Sequence, residues 1–454
     1  MDKIFEQLFS YIDAHTEDMI SDLARLIRIP SVKGEAAENA PFGKEPAAAL
    51  DEVLKICGEA GLSVRNIDNY VGTADFYETD TIPELGVLSH MDVVPVGGGW
   101  SVPPFELTQQ CGKLLGRGTI DDKGPAIAAL YAVKAIKDSG IKLSKNVRLV
   151  FGTDEECGSG DLEYYLKKEK LPEMLFTPDG SYPVINAEKG LMRASYTGTV
   201  SDKIVSIKGG TVVNAVPEYA EAILAGVTVD TAKYSFDGVT LETEACGENV
   251  KLIAKGVSAH ASLPEGGKNA VTALLTVVAD VTGDAMIKAL VEMFPYGETD
   301  GTNAGIKCSD KISGGLTTVL SVLDGENGML TAKQDIRFPI DRKCAEIIAM
   351  IEAKSKEKGL SHSIDMAIEP HYVSEECDFV KQLLSVYETV TGEKGYCVAI
   401  GGGTYVHETE GGVAFGAEFP GDDNHMHGAD EFITLESFIK NAKIFAAAIY
   451  SLCK

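Results

Sequence analysis

The residues that could do chemistry begin with a histidine and an aspartate two positions apart. An apolar run over residues 82–88 predicts a strand, and His90 and Asp92 follow it. On an extended chain, positions i and i+2 point to the same side, so the two side chains can stand together at the strand end. This suits a metal-bound imidazole whose second nitrogen is held by a carboxylate. A surface polar pair has the same pattern, so the motif alone does not decide between them.

Acidic residues stand at three later points of the chain. They are Asp121 and Asp122 after the glycine-rich residues 116–118, Glu155 and Glu156 after a strand predicted over 147–151, and Asp179 after a strand predicted over 174–176. A helix is predicted over residues 126–136, and a helix cap would explain one of the paired aspartates but not both. Neighbouring carboxylates beyond a buried strand are unfavourable unless a positive charge compensates them, although a solvated loop is an alternative.

Strands that alternate with helices predict a mostly parallel α/β sheet with flanking helices. We expect four successive strand ends to present His90 with Asp92, then Asp121, the Glu155–Glu156 pair, and Asp179. Ligand sites in such sheets lie outside the carboxyl ends of the strands. The histidine and the acids would form a site for a divalent metal, with the nitrogen and oxygen ligands that zinc or manganese accepts. An acidic loop with His425 and His427 is a second source of nitrogen ligands.

The pattern changes near residue 186, where alternating strand-like segments begin. Helices are predicted over 270–293 and 344–358. We predict an α+β domain, residues 186–377, inserted into a catalytic domain made of residues 1–185 and 378–454.

Four polar features lie in or after this insertion. They are Asn214, His260, Arg337 and a glycine-rich turn that contains Gly402, Gly403 and Thr404. The first three are commonplace when taken singly. The turn lacks the lysine and the spacing of a phosphate-binding loop. It is therefore either a plain tight turn or a place where the backbone approaches a substrate closely.

Composition excludes several classes of function. The 454 residues are enough for two domains, and a net charge of −27 argues against nucleic acid and anionic membranes as partners. There is no apolar run of the length of a membrane span, about 18 residues. The nine cysteines are scattered without a C-x-x-C pair, and the N-terminus lacks the pattern of a signal peptide. We therefore expect a cytoplasmic protein with free thiols.

Five short motifs follow one another along the chain. They are Ser-His-Met-Asp-Val-Val-Pro, Gly-Arg-Gly-Thr-Ile-Asp-Asp-Lys-Gly-Pro, Asp-Glu-Glu-Cys-Gly-Ser, Pro-Asp-Gly and His-Gly-Ala-Asp-Glu. In order and spacing they resemble a family of dinuclear-metal peptidases that contains aminoacylases, carboxypeptidases and dipeptidases. The bacterial PepV-type, carnosinase-like (Xaa-His) dipeptidases are the most similar branch. The resemblance covers nearly the whole chain and implies that the inserted domain is a lid.

The resemblance also implies metal ligands. His90 and Asp179 would bind one ion, Glu156 and His427 the other, and Asp121 would bridge both. His427 is preferred to His425 because it stands four residues before Glu431. Zinc or manganese is implied, with cobalt as a third option.

Further roles follow from the same resemblance. Glu155 would be the general base, Asp92 would orient His90, and His260 would be the second donor to the oxyanion. Asn214 and Arg337 would hold the terminal carboxylate or the backbone of the substrate. Gly402, Gly403 and Thr404 of the glycine-rich turn are further candidates for contact with the substrate, on the evidence of the turn itself. The peptide bond between Asp121 and Asp122 is expected to be cis.

The implied function is hydrolysis of dipeptides by a metal-dependent, monomeric enzyme whose only partner is a small peptide substrate. An N-acyl amino-acid deacylase shares every metal ligand and is the alternative. Two others are a catalytically silent relative that binds metal or peptide, and a structural protein with a metal-free acidic cleft. Gly-x-Ser-x-Gly is absent, which argues against a serine hydrolase.

Overall fold

The computed structural model describes residues 3–454 and divides into two compact units. Unit 1 comprises the described residues up to Asn186 together with Tyr372–Val398 and Thr404–Lys454. Unit 2 comprises Ala187–His371 and Ala399–Gly403. The glycine-rich turn is therefore divided, because Gly402 and Gly403 belong to unit 2 and Thr404 belongs to unit 1.

Ten helices and twenty-two strands are found within residues 3–454. The helices are α1 (Lys3–Ala14), α2 (Thr16–Ile27), α3 (Lys44–Glu59), α4 (Lys123–Asp138), α5 (Gly160–Leu166), α6 (Ala270–Thr282), α7 (Ala285–Met293), α8 (Cys344–Lys358), α9 (Asp378–Thr391) and α10 (Leu435–Cys453). The strands are β1 (Ser63–Ile67), β2 (Val71–Asp75), β3 (Leu85–His90), β4 (Thr108–Gln110), β5 (Lys113–Leu115), β6 (Val147–Gly152), β7 (Met174–Thr177), β8 (Val184–Glu188), β9 (Gly190–Thr199), β10 (Ile204–Gly209), β11 (Ala215–Val216), β12 (Tyr219–Leu224), β13 (Thr240–Cys246), β14 (Asn249–Lys255), β15 (Ala259–His260), β16 (Thr317–Glu326), β17 (Met329–Phe338), β18 (Ser361–Ile368), β19 (His371–Tyr372), β20 (Cys397–Ile400), β21 (Gly412–Ala414) and β22 (Phe432–Thr434).

The main sheet of unit 1 is mixed. Its order is β1-β2-β6-β3-β7-β21-β8-β19, and β20 also pairs with β8. The four central strands β6, β3, β7 and β21 run parallel, whereas β1, β2 and β8 pair antiparallel. The expected parallel strands are therefore present at the centre of the sheet, and at one edge β1 and β2 form an antiparallel hairpin.

Both faces of the central strands are buried. On β3, Val87 belongs to the large core that contains α4 and α10, while its neighbour Leu88 belongs to a second cluster with Leu162 of α5. This follows from the alternation of side chains along a strand. Since helices cover both faces, the strand ends are where polar side chains can gather.

Unit 2 contains an eight-stranded sheet in the order β13-β14-β12-β10-β16-β17-β9-β18, in which neighbouring strands run antiparallel. Helix α6 packs against four of these strands, and α8 packs on β18. The single helix expected over 270–293 is two helices. Gly283, at φ +72°, ends α6, and Asp284 caps α7 by accepting a hydrogen bond from the Ile287 N–H.

The first helical region is also divided. It consists of α1 and α2 with His15 between them. His15 leaves the helical conformation at φ −111°, ψ 19° and stacks on the ring of Tyr11. Within residues 3–454, none of the helices combines the length and the apolar character that a membrane crossing requires.

Gly152 makes the packing at the end of β6 testable. A Cβ atom there would lie 1.6 Å from the Tyr405 hydroxyl oxygen and 2.3 Å from an Asp161 carboxylate oxygen. We expect Gly152→Ala to destabilise unit 1 by about 1–3 kcal/mol through overpacking. The midpoint of urea unfolding measures this. The control is Gly58→Ala in α3, where a Cβ meets nothing within 4 Å. There the higher helix propensity of alanine should stabilise the protein by up to about 1 kcal/mol. Equal midpoints for the two variants would contradict the account.

Candidate metal centre

His90 ends the central strand β3, and its side chain is fully buried. Its Nε2 atom lies 2.9 Å from Asp121 Oδ1 and 3.7 Å from Asp179 Oδ2. Its Nδ1 atom lies 3.0 Å from the backbone oxygen of Asp92 and 3.5 Å from the Asp92 carboxylate. The ring is thus held on its Nδ1 side by Asp92, while Nε2 faces two carboxylates.

Asp121 lies between two imidazoles. Its Oδ1 atom approaches His90, and its Oδ2 atom is 2.8 Å from the Nε2 atom of His427. Glu156 Oε2 is 3.4 Å from the same His427 nitrogen. One carboxylate therefore joins residues that are far apart in the chain.

The expectation that Asp121 follows a strand of the main sheet is wrong. Asp121 stands in the loop between β5, which belongs to a separate three-stranded sheet, and α4. The peptide bond between Asp121 and Asp122 is cis, and this expectation is confirmed. The other three groups do follow main-sheet strands, namely β3, β6 and β7.

Two overlapping groups of side chains have the composition of metal ligands. In each group the ligand atoms lie within 4.8 Å of one another, and the groups are His90 with Asp121 and Glu156, and His90 with Glu155 and Asp179. Imidazole nitrogen with carboxylate oxygen is a donor set that zinc, manganese and cobalt accept. Both histidines of the acidic loop are exposed, but only His427 contacts these acids, namely Asp121 and Glu156, whereas His425 packs edge-on against Phe432.

The electrostatics of the cluster favour a cation. Burial raises the pKa of Glu155 well above its usual range, and it raises the pKa of Asp179 to about 7. The pKa of Asp121 is lowered because the hydrogen bonds with His427 and His90 outweigh the effect of burial. Glu156 Oε1 is buried and has no hydrogen-bond partner within residues 3–454. A divalent ion would compensate these buried charges and use the unpaired oxygen, so the residues fit a metal.

Asp92 does more than the sequence indicated. Its two carboxylate oxygens accept the backbone N–H groups of Glu155 at 3.2 Å and of Glu156 at 3.1 Å. These residues begin a single 3₁₀ turn directly after β6. Asp92 therefore links the His90 strand end to the paired glutamates.

Asp161 and Tyr405 support the same turn and were missed in the sequence. Asp161 Oδ2 accepts the N–H of Asp154 at 2.9 Å and the hydroxyl of Tyr405 at 2.6 Å. The Tyr405 ring stands edge-on to His90, with the centroids 6.1 Å apart. The sequence signal for this contact was the run of glycines shortly before Tyr405. It did not show that Asp161 is the partner of Tyr405.

The expected substrate residues of unit 2 form a group of their own. Asn214 and His260 are neighbours on a short ladder, where Ala215 pairs with His260 and the Ala261 N–H donates to the Asn214 carbonyl at 2.9 Å. His260 Nδ1 lies 2.7 Å from the hydroxyl of Ser262. The structure thus brings Asn214 and His260 together.

Arg337 is tied to the same group through the glycine-rich turn. Its Nη1 atom donates to the Gly401 carbonyl at 2.9 Å, and a Cβ on Gly401 would lie 2.7 Å from the Ser262 Cβ. Arg337 Nε and Nη2 donate to Asp335 at 2.7 Å and 3.2 Å. The guanidinium is therefore buried and held by Asp335 within unit 2.

The chain has relatives among known proteins. Residues 86–451 match the family described as peptidase family M20/M25/M40. A putative dipeptidase of Bacillus subtilis, YtjP, is 37% identical over 460 residues, which cover 96% of this chain and 98% of that protein. A Beta-Ala-Xaa dipeptidase of Lactobacillus delbrueckii subsp. lactis is 33% identical over 476 residues, 100% of this chain and 99% of that protein.

Solved structures show the same fold at low identity. Human carnosine dipeptidase 1 superposes with a TM-score of 0.60 at 16% identity, covering 99% of both chains. The di-peptidase Dug1p of Saccharomyces cerevisiae superposes with a TM-score of 0.61 at 16% identity, covering 99% of this chain and 98% of that one.

The buried Asp161 gives a pH dependence of known sign. Burial raises its pKa to about 6, above the ordinary value of about 3.9 in an unfolded chain. Between these pH values the folded state binds the proton more tightly, so the free energy of unfolding falls as pH rises from about 4 to 6, by on the order of 2 kcal/mol. Asp161→Asn cannot ionise and should lack this fall. Urea unfolding of wild type and Asp161→Asn at pH 4.5 and 7 measures the free energy of unfolding. The same change between the two pH values in both proteins would contradict the assignment to Asp161.

Proposed function

The chain belongs to peptidase family M20/M25/M40, and we propose that it is a dipeptidase that hydrolyses the peptide bond with divalent metal held around Asp121. The observation that carries this proposal is the position of Asp121 between the Nε2 atoms of His90 and His427, at 2.9 Å and 2.8 Å. The dipeptidase names of two full-length relatives, at 37% and 33% identity, support the substrate class.

Two ions are proposed. His90 and Asp179 would hold one, Glu156 and His427 the other, and Asp121 would be shared. Zinc or manganese suits this set of nitrogen and oxygen donors, with cobalt as a third option. When bound, the ions supply a water of lowered pKa and positive charge for the oxyanion.

Glu155 is the proposed general base. It stands beside the proposed ligand Glu156, and the N–H of each is fixed by Asp92 at 3.1–3.2 Å. In hydrolysis a C–O bond to the carbonyl carbon forms while Glu155 takes the proton of the attacking water. As the C–N bond breaks, the same proton passes to the leaving amine. Asp92 serves to orient both His90 and this turn.

Unit 2 is proposed to act as the lid and to hold the substrate. The Ser262 N–H points to His260 Nδ1 at 3.3 Å, so the ring proton is assigned to Nε2, which can then donate to an oxyanion. Asn214 and the glycine-rich turn with Gly402, Gly403 and Thr404 would position the substrate backbone. Arg337, held by Asp335, would bind the carboxylate of the substrate directly or support the glycine-rich turn that positions the substrate.

One chain carries every proposed residue, and we propose a monomer as the active form. A cytoplasmic location is proposed as well, since all nine cysteines are free thiols. The full set of proposed ligands and the base favours an active enzyme over a silent relative.

Glu155→Gln tests the base. The amide cannot take a proton, so we expect kcat on a dipeptide to fall at least 100-fold while bound metal is unchanged. The control is Glu163→Gln, which alters an exposed glutamate of α5 that pairs with Lys167. This variant should keep the wild-type kcat. Hydrolysis at the wild-type rate by metal-loaded Glu155→Gln would refute the assignment.

Assays of several substrates with chelated and with metal-loaded protein test the proposed reaction. Chelated protein should cleave none of Ala-Ala, Leu-Gly, β-Ala-His or a tripeptide, and Zn²⁺ or Mn²⁺ should restore cleavage of the dipeptides. Release of free amino acid gives the rate. Cleavage of N-acetyl-methionine alone would show a deacylase instead, and two bound ions without any cleavage would show a silent relative.

A further inference from the structure

A buried carboxylate outside the proposed ligand set organises the loop that carries Asp121. Glu431 is fully buried, and its Oε1 atom accepts the backbone N–H groups of Gly118 at 3.0 Å, Ile120 at 3.1 Å and Asp121 at 3.4 Å. Its Oε2 atom is paired with the guanidinium of Arg117. This one side chain therefore gathers the whole turn that leads to Asp121.

Arg117 extends the same network to the loop of His427. Its side chain is 1% exposed, and its Nη2 atom donates to the backbone oxygens of His427 and Gly428, both at 3.2 Å. The ion pair of Arg117 and Glu431 is thus bonded to the backbone of Asp121 on one side and of His427 on the other. Neither residue of the pair is a proposed metal ligand or a proposed base.

The desolvation of a buried ion pair is compensated only when further hydrogen bonds are made, and here five backbone groups make them, while Arg117 Nε has no partner within residues 3–454. The planar fork of arginine makes these contacts directional. The pair thus bridges two loops whose side chains meet at 2.8 Å, Asp121 Oδ2 to His427 Nε2.

The two proposed ion sites differ in what supports them. His90 ends β3, and Asp179 stands two residues after β7, so main-sheet strands place both. His427 is on a loop at φ +60° and has no strand of its own. Its position relative to Asp121 depends on contacts between loops.

We propose that the pair of Arg117 and Glu431 positions His427 against Asp121 and thereby sets the affinity of the ion held by Asp121, Glu156 and His427. The inference rests on the proposed metal centre. It makes Arg117 and Glu431 positioning residues that act through others, and it predicts that the two ion sites respond unequally to their loss.

Metal binding by intact protein tests this with Glu431→Gln and Arg117→Lys. Glu431→Gln removes the charge that Arg117 needs, and Arg117→Lys keeps a charge but loses the fork that reaches His427 and Gly428. Metal content after dialysis against Mn²⁺ or Zn²⁺ gives the stoichiometry, and visible absorption during Co²⁺ titration gives the affinity of each site. We expect wild type to bind two ions. Both variants should weaken the ion held by Glu156 and His427 about 10–100-fold and the ion held by His90 and Asp179 by less, because Asp121 serves both.

Asp75→Asn is the matched control. It breaks an equally buried ion pair, in which Arg148 and Asp75 are 3% and 4% exposed, at the end of β6 opposite to Gly152. This variant should lose stability but keep two ions with wild-type affinity. A loss of one ion in Asp75→Asn as well would mean that any buried pair has this effect, and the proposal would be wrong.

The outcomes separate this proposal from the proposed function. Two sites of wild-type affinity in both variants, or equal weakening of both sites, would overturn the positioning role alone. Wild-type protein that binds no divalent ion would refute the metal centre itself. Should Glu431→Gln fail to fold, Arg117→Lys decides the question, because it retains the buried charge.

Discussion

Asp121 shared between two imidazoles is the interaction around which the candidate metal centre is arranged. Each of its oxygens approaches one Nε2 atom, at 2.9 Å and 2.8 Å, and the partly buried Glu155, Glu156 and Asp179 cluster around His90 with it. Carboxylates at such density repel one another and lose hydration, and the two histidines alone do not balance them. The protein must therefore hold these groups with strong backbone anchors and a compensating charge, and divalent metal meets the second need.

The anchors are themselves carboxylates that accept backbone N–H groups. Asp92 fixes the glutamate turn, Asp161 fixes the residues just before it, and Glu431 fixes the turn before Asp121. The carboxyl ends of the central strands β3, β6 and β7 bring His90 with Asp92, the glutamate turn and Asp179 to the same end of the sheet. The α4 helix, rich in alanine and almost wholly buried, lets its neighbours approach closely on one face of the sheet. Packing and polar anchoring thus place the same few side chains.

The sequence predicts those features of the fold and the site that depend on short motifs or on the periodicity of apolar residues. Helix α8 has the predicted bounds of residues 344–358, and His90, the paired glutamates and Asp179 follow central strands as predicted. The hairpin between β1 and β2 was not predicted, because its turn has left-handed residues at Asp68 and Asn69, which no apolar periodicity reveals. The break between α6 and α7 was visible as Gly283 and Asp284 but was outweighed by the continuous apolar pattern. The resemblance to a known family, and not spacing, supplied the bridging role of Asp121.

The anchors could not be predicted for a different reason. Arg117 and Glu431 are 314 positions apart, and Asp161 and Tyr405 are 244 apart, so their pairing depends on the completed fold. Each residue by itself is a common buried or capping side chain. Only the structure shows that they hold the backbone on which the candidate ligands stand.

Anomalous X-ray diffraction from crystals grown with Mn²⁺ or Zn²⁺ would locate the ions around Asp121. We expect two peaks about 3.5–4 Å apart, the distance typical of two-metal hydrolases, with an oxygen of Asp121 bonded to each. A single peak, or two peaks of which one lies away from Asp121, would contradict this expectation.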